Sequence, residues 1–149
     1  GHSVAMGNAP KEVQLAADTV TGRCLDGGVA DAIPYRRAFE QGCDRVVVLL
    51  TKPRSFVRGA EKLQPVIERR YRQYPNFCQA MRDRAEKYNQ DRAELFQLEK
   101  EGKALVFAPD SLHGVGRIEH NVEKLRMLWA EGYQHGMERM EDLRSFMGR

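Results

Sequence analysis

The amino-acid sequence predicts an α/β fold, and the evidence is a pair of apolar runs with helical patterns between them. The first run, Val46–Leu50, is an unbroken aliphatic stretch, which is typical of a strand that is covered on both faces. The second run, Ala104–Ala108, is ended by Pro109. Because helical patterns separate the runs, we expect the two strands to pair in parallel through a long right-handed crossover.

A β-hairpin is predicted near the start of the chain. Apolar and polar residues alternate over residues 12–16 and again over residues 23–25, as in two strands. Residues 18–22 between them are rich in turn-forming residues. Residues 1–10 are small and polar, and we interpret them as a tag or a disordered leader.

A short helix is predicted next, over Tyr35–Gln41. Pro34 suits its first turn because the missing N–H of proline has no partner to lose there. Asp31 is a candidate N-cap or first-turn acid. Gly42 follows as the residue that ends the helix.

Helical patterns also fill the region between the two predicted strands. Apolar residues keep helical spacing over residues 64–74 and again after Pro75. Residues 89–101 form either a further helix or a continuation of the preceding one, and Gly102 is the predicted stop.

The last predicted element is a long helix over about residues 121–147, with an apolar stripe that is expected to pack in a core. Gly132 and Gly136 are spaced to permit close packing against a neighbour. His120 and His135 lie fifteen residues apart, which does not suggest a metal pair. The stripe consists of Val122, Leu125, Leu128, Trp129, Tyr133, Met137, Met140 and Leu143.

Composition and cysteine usage limit the functional classes. The chain has 149 residues, 42% of them hydrophobic, which is enough for one domain with a core, and its formal charge of +3 is too small to indicate nucleic-acid binding. No stretch approaches the apolar length of a membrane span. Cys24, Cys43 and Cys78 are spaced for neither a disulfide framework nor a zinc site, so we expect a reducing cytoplasm and no metal or cofactor.

Residues 52–73 are the most basic stretch, with seven Lys and Arg residues against two Glu residues. One interpretation is peripheral contact with an anionic membrane surface, at about 1 kcal/mol for each basic residue before screening by salt. The alternative is an ordinary solvated helix face with a loop.

The stretch with the clearest chemical content is Asp26-Gly27-Gly28, between the predicted hairpin and the predicted helix. Paired glycines let the backbone take a positive φ or come very close to another segment, so the aspartate can be aimed across a gap that bulkier residues would block. We therefore expect an aspartate at a strand-to-helix turn. His113, in the loop after the second strand, has no carboxylate at a defined spacing, and we interpret it as a solvated loop histidine.

The part of the chain around Asp26 resembles the segment of bacterial patatin-like phospholipases that carries the catalytic aspartate. The resemblance rests on Asp26-Gly27-Gly28, then Ala32-Ile33-Pro34, then Gly42 and a strand. The resemblance extends from about Val13 to the end of the chain. It implies the C-terminal portion of a three-layer α/β fold, with parallel strands, flanking helices and a long C-terminal helix. The other residues that carry it are Thr51-Lys52-Pro53, Tyr88-Asn89, Ala108-Pro109, Leu125, Gly132 and Tyr133.

The resemblance implies a serine lipid acyl hydrolase with a Ser-Asp dyad, in which Asp26 is the base and Gly27 and Gly28 support the turn. A lipid or phospholipid ester would be the substrate. An aspartate has an ordinary pKa of about 3.9, so such a base needs partial burial to act near pH 7. The sequence does not indicate which residues would bind the substrate.

The other half of such a site is not recognisable in the sequence. The family pattern has a glycine-rich oxyanion loop and a G-x-S-x-G nucleophile elbow upstream of the aspartate. The nearest approach is Gly1-His2-Ser3-Val4-Ala5, which lacks the last glycine. Ser3 is therefore a candidate nucleophile. The alternative interpretation is that residues 1–5 are the remnant of a cloning or cleavage site.

We accordingly expect a fragment that is inactive alone and that pairs with a missing N-terminal segment or with a second copy. The predicted boundaries are 1–10 for the leader, 11–58 for the end of a patatin-like catalytic core, and 59–149 for a helical C-terminal region with one returning strand. A different class of function stays open, namely a non-catalytic C-terminal module for interaction or oligomerisation. In that case Asp26 would only cap the local helix.

Overall fold

The structure, a computed structural model, describes residues 4–5, 19–20, 27–29, 31–116 and 118–148. Within these ranges the architecture is a mixture of short strands and longer helices. In chain order the elements are β1 (Val4–Ala5), β2 (Thr19–Val20), a 3₁₀ turn (Gly27–Val29), α1 (Tyr35–Glu40), β3 (Val46–Leu49), α2 (Gln64–Arg70), α3 (Pro75–Lys100), β4 (Ala104–Phe107), α4 (Val122–Glu138) and α5 (Met140–Met147).

β3 and β4 form a parallel pair, which confirms the pairing predicted from the two apolar runs. Val46 lies opposite Ala104, and Leu49 lies opposite Phe107. The backbone N–H of Leu50 extends the ladder by donating to the carbonyl oxygen of Phe107 at 2.8 Å. α2 and α3 lie in the connection between the two strands.

The core lies where α3 packs on this sheet. Leu95 on α3 and Val106 on β4 are completely buried. The chain that follows the 3₁₀ turn enters the same core through Ile33 and Tyr35. The segment after Asp26 and the sheet therefore share one hydrophobic interior, whose other buried members are Val46, Leu50, Tyr88, Ala104 and Ala108.

The two strands are not equally covered, and this corrects the prediction that the first apolar run is buried on both faces. β4 is buried except at Phe107. In β3, by contrast, Val46 at the start of the strand is buried, whereas Leu49 at its end is 77% exposed. In the described part of the chain, one face of β3 packs on the core. The opposite face borders an open cavity, which leaves Leu49 exposed.

α3 is one continuous helix, so the continuation predicted for residues 89–101 is confirmed. Gly102 follows it with a φ of +72°, and Gly42 follows α1 with a φ of +90°, both in the left-handed region that glycine adopts without a steric penalty. α2 is shorter than predicted, because it ends at Arg70 and a separate turn closes at Tyr74.

The start of α1 corrects the role predicted for Asp31. Pro34 occupies the N-cap position, and no side chain caps the helix. An N-cap residue must directly precede the first helical residue for its side chain to reach the free N–H groups. Asp31 lies too far upstream for this and is exposed.

The predicted C-terminal helix is interrupted at Arg139, between α4 and α5. The Nη1 atom of Arg139 donates to the carbonyl oxygen of Val106 at 2.8 Å, and the guanidinium lies 4.6 Å from the centre of the Phe107 ring. The interruption therefore coincides with the point where the two helices attach to β4. At the other end, Asn121 caps α4 by accepting the backbone N–H of Glu123 at 3.0 Å.

The apolar stripe of α4 is largely exposed, and this corrects the prediction that it packs in a core. Trp129 is 70% exposed and Tyr133 is 60% exposed, and their rings are stacked with centres 5.5 Å apart. A Cβ atom placed on Gly132 or Gly136 would meet no atom within 4 Å. The described residues therefore contain no close packing partner at these glycines.

Two short strands near the start of the chain pair in parallel, Val4 with Thr19 and Ala5 with Val20. The prediction placed Thr19 and Val20 in the turn of a hairpin, so it is wrong at these two residues. A parallel pair needs a connection of about a dozen residues, and residues 6–18 provide this length. The predicted hairpin strands at 12–16 and 23–25 lie outside the described residues.

A polar cluster of Arg54 and Glu99 ties the loop after β3 to α3 and β4. Arg54 donates from Nη1 and Nη2 to the two carboxylate oxygens of Glu99 at 2.7 and 2.8 Å, and the backbone N–H of Val106 donates to Glu99 at 3.0 Å. The bond from Arg54 holds the pKa of Glu99 below its ordinary value of 4.5; burial opposes this shift, and the N–H of Val106 adds to it.

This cluster predicts a specific loss of stability in acid. Because the pKa of Glu99 is lower in the folded chain than in the unfolded chain, its contribution to stability is present above pH 4.5 and is lost as the pH falls through the folded value. We expect Glu99→Gln to lose less free energy of unfolding than the wild type between about pH 7 and about pH 3, measured by urea denaturation. Glu123→Gln, at an exposed position on α4, is the control and should follow the wild type. Equal losses in the wild type and Glu99→Gln would contradict the prediction.

Candidate functional site

The turn after Asp26 is the first candidate site. Gly27–Val29 form the 3₁₀ turn, and the Nε atom of Arg84 on α3 donates to the carbonyl oxygen of Gly28 at 3.0 Å. The long helix α3 therefore holds this turn in place. Asp26 and Ser3, the predicted base and the candidate nucleophile, lie outside the described residues.

The geometry of the turn bears on one of the two roles predicted for the paired glycines. A 3₁₀ turn has φ angles of about −50 to −70°, so a positive φ is not what Gly27–Val29 require. Arg84 binds the carbonyl oxygen of Gly28, which any residue could offer, so close approach at these glycines stays a prediction.

The helix that follows the turn is joined to α3 by an ion-pair cluster. Arg36 on α1 donates to the carboxylates of Asp91 and Glu94 on α3. Hydrogen bonding to Arg36 lowers the pKa of Glu94, and burial raises the pKa of Tyr35 to about 12. Glu94 therefore favours its ionised, paired form and the Tyr35 phenol stays protonated near pH 7, so neither group supplies a base, and the cluster holds α1 against α3.

A second candidate site is a cavity of about 600 Å³ between the β3–β4 sheet and the helices α4 and α5. Leu49 and Phe107 line it from the sheet, and Gly132, Gly136 and Leu143 line it from the helices. The volume lies within the range of about 300–1,000 Å³ that is typical of small-molecule sites.

A histidine–carboxylate pair stands at one end of this cavity. The Nε2 atom of His113, in the loop after β4, pairs with Glu131 on α4, which lines the cavity. His113 has a φ of +48°, a conformation that costs a non-glycine residue about 1–2 kcal/mol. Its backbone N–H donates to Oγ of Ser111 at 3.1 Å. Open parallel sheets commonly bind ligands at this carboxyl edge of the strands.

His113 is exposed in its loop, as predicted, but it has a carboxylate partner that the sequence did not indicate. Glu131 lies eighteen residues further along the chain, on a different element. No local spacing rule connects a loop histidine to a helical glutamate at this distance. The signal available in the sequence was the position of Glu131 among the apolar residues of the α4 stripe.

Part of the basic stretch 52–73 is engaged within the chain. Arg54 binds Glu99, Arg58 lies 4.3 Å from the centre of the Tyr88 ring, and Lys52 lies 5.5 Å from that of Phe56. These contacts agree with the structural alternative for this stretch. Contact with an anionic membrane stays a prediction.

The ranges that the structure describes contain neither a metal-binding cluster of His, Cys, Asp and Glu side chains nor a membrane-spanning helix. His120 and His135 belong to no group of three or more His, Cys, Asp or Glu side chains that could hold a metal ion in those ranges. None of the helices described is both long enough and apolar enough to cross a bilayer. Cys43 is exposed and Cys78 is buried, and both are free thiols.

Comparison with known proteins gives two family matches. Residues 1–33 match a haloacid dehalogenase-like hydrolase, which is less than a quarter of the chain but includes β1, β2 and Asp26. No curated protein and no solved structure matches the chain.

The second match covers the part of the chain that builds most of the described fold. Residues 74–148, from the residue before α3 to the residue after α5, match the domain of unknown function DUF6363. Since this match spans half of the sequence, the chain belongs to the DUF6363 family.

Proposed function

We propose that the chain is the C-terminal part of a serine lipid acyl hydrolase resembling the patatin-like phospholipases, with Asp26 as the base that activates the nucleophile. The observation that carries this proposal is the Asp26-Gly27-Gly28 sequence, whose two glycines begin a 3₁₀ turn attached to α3. In this proposal the DUF6363 portion is the support for the catalytic turn.

The attachment of the turn supports this role. Arg84 fixes the carbonyl of Gly28, and Arg36 joins the following helix to Asp91. Ile33 and Tyr35, which lie between these two attachments, are buried in the core. A general base must be held within hydrogen-bond reach of the proton that it removes, so a rigid support contributes directly to the rate.

The chemistry would be ester hydrolysis in two steps. The serine hydroxyl attacks the ester carbonyl, the Asp26 carboxylate accepts the hydroxyl proton, and the alcohol leaves with that proton. Water then attacks the acyl-enzyme and releases the carboxylic acid, with Asp26 again accepting and returning a proton. We place the serine and the oxyanion donors in a segment upstream of residue 1 of a longer protein.

Ester hydrolysis by the longer protein is the direct test. We expect the longer protein, which includes the upstream segment, to hydrolyse p-nitrophenyl esters and phospholipids, and we expect the 149-residue chain to stay at background. A fluorophosphonate probe should label the longer protein equally with and without Ser3→Ala. Absence of both hydrolysis and labelling in the longer protein, or labelling that depends on Ser3, would contradict the proposal.

A haloacid dehalogenase-like hydrolase is a second candidate, favoured by the match over residues 1–33 and by the parallel β1–β2 pair within it. It predicts release of halide from 2-haloacids by the same protein. Halide release without ester hydrolysis would favour this candidate over the acyl hydrolase.

A non-catalytic interaction module is a third candidate, favoured by the exposed, stacked rings of Trp129 and Tyr133. It predicts self-association of the chain that Trp129→Ser abolishes, measured by sedimentation velocity. A chain that sediments as a monomer at all concentrations would exclude self-association through this pair of rings.

A further inference from the structure

We propose that the cavity between the β3–β4 sheet and the helices α4 and α5 binds the hydrocarbon chain of an uncharged single-chain lipid ester. The binding of a hydrocarbon chain is inferred from the cavity alone. The identification of that chain as the acyl group of an ester rests on the proposed function.

The size and lining of the cavity fit one hydrocarbon chain. A chain methylene occupies about the volume of a liquid water molecule, about 30 Å³, so a chain of roughly sixteen carbons would fill most of the 600 Å³. Leu49, Met137 and Leu143 line the cavity, and Leu49 and Met137 are left 77% and 54% exposed. A bound chain would remove this apolar surface from water, which is the main driving force for such binding.

Two glycines open the helical wall of the cavity. Gly132 and Gly136 follow each other by one turn of α4, so their missing side chains leave a continuous groove along one face of the helix. Both line the cavity, and neither has an atom within 4 Å of its Cβ position. Side chains at these positions would occupy the space in which we place the chain.

The polar lining of the cavity lies towards the carboxyl edge of the strands. Thr51 comes just after β3, and the centre of the His135 ring lies 6.3 Å from that of Phe107, the last residue of β4. Glu131 and its partner His113 lie at the carboxyl edge of the strands, in the region of the loop after β4. At the amino edge, the Nη1 atom of Arg45 donates to the carbonyl oxygen of Phe146 on α5 at 2.8 Å, which places the apolar Leu143 near that edge. An amphiphile would therefore lie with its polar end towards Glu131 and its methyl end towards Leu143.

The charge at the polar end favours an uncharged head group. A fatty carboxylate would approach the carboxylate of Glu131, and like charges at short distance repel each other. The hydroxyl groups of a monoacylglycerol could instead donate to Glu131, which His113 holds in place. We therefore expect a preference for monoacylglycerols over fatty acids of the same chain length.

The test is a titration of the 149-residue chain with monooleoylglycerol, below its aggregation concentration, and with oleate in parallel. We expect saturable one-to-one binding of monooleoylglycerol and binding of oleate that is about tenfold weaker. Glu131→Gln should bring the two affinities together. No saturable binding of monooleoylglycerol, or equal affinities in the wild type, would overturn the proposal.

Gly132→Leu separates occupation of the cavity from adsorption to exposed surface. The Cβ of the leucine meets no atom, and leucine favours a helix more than glycine does, so the variant should unfold at a higher temperature than the wild type. Because the new side chain occupies the cavity, the affinity for monooleoylglycerol should fall at least about tenfold. Gly59→Leu, at an exposed loop position that is equally free of neighbours, is the matched control and should bind as the wild type does. Unchanged affinity in Gly132→Leu would overturn the proposal.

The remaining possible occupants give different results. If the wild-type chain is a dimer and Gly132→Leu is a monomer that also fails to bind lipid, the occupant of the cavity is a second copy of the chain. Binding by the 149-residue chain but not by the longer protein would assign it to the upstream segment. Both results overturn the proposal. Because binding is measured without turnover, its failure leaves ester hydrolysis untouched, and the failure of hydrolysis leaves the binding result untouched.

Discussion

In the longer protein, Asp26→Asn is expected to lower kcat/KM for ester hydrolysis by about 10²–10⁴-fold, which is the contribution of a general base. The amide of asparagine has nearly the size of the carboxylate but cannot accept the serine proton. Its binding interactions with the substrate are otherwise similar, so the loss should appear in kcat with KM changed little. The measurement is steady-state hydrolysis of a p-nitrophenyl ester and of a phospholipid.

Asp31→Asn is the matched control for this experiment. It makes the same chemical change five residues further along the same segment, at a side chain that is exposed and does not cap α1. We expect Asp31→Asn to retain the wild-type kcat/KM. Full activity in Asp26→Asn would remove the aspartate from the mechanism, and equal losses in both variants would indicate a general effect of charge on this segment.

The parts of the fold that follow from local chemistry were predictable. Val46–Leu50 and Ala104–Ala108 are short, continuous apolar runs next to turn-forming residues, and such runs are typical of strands in an α/β fold. Gly42 and Gly102 end helices because each takes a positive φ that other residues adopt only at a cost. These signals are contained within a few neighbouring residues.

The parts that depend on distant segments were not predictable from the sequence. The periodicity of α4 shows that Trp129 and Tyr133 share a face with other apolar residues, but it does not show whether anything covers that face. The same limit explains the exposure of Leu49, which depends on what lies against the second face of β3. The His113–Glu131 pair joins two elements through the tertiary fold, so no spacing in the sequence indicates it.

Arg36→Met is expected to lower the free energy of unfolding by about 3 kcal/mol, because it leaves the Asp91 carboxylate buried without its cation. The Asp91 side chain is only 4% exposed, while Arg36 is 44% exposed, so water can solvate the arginine end of the pair but not the aspartate end. Methionine keeps much of the length of the arginine stem, which limits the loss of packing. Urea denaturation of the 149-residue chain measures the change.

Two further variants separate the ion pair from other effects of the substitution. Arg37→Met removes the neighbouring arginine, whose pair with Glu40 is exposed at both ends, and should cost less than about 1 kcal/mol. Asp91→Leu combined with Arg36→Met removes both charges of the pair, including the buried one, and should recover much of the lost stability, because an apolar residue at position 91 needs no cation. Equal destabilisation by Arg36→Met and Arg37→Met would show that the burial of Asp91 is not the cause.

Arg36→Met also tests whether the attachment of α1 to α3 matters for the proposed activity. Arg36 lies on α1, seven residues after the end of the 3₁₀ turn. Asp91 lies on α3 within two helical turns of Arg84, which binds that 3₁₀ turn. If α3 positions the turn, Arg36→Met in the longer protein should lower kcat at a temperature where the protein is still fully folded. The double variant of Arg36→Met with Asp91→Leu should then restore the stability more completely than it restores kcat. A kcat that follows the folded fraction alone would instead limit the role of Arg36 to stability.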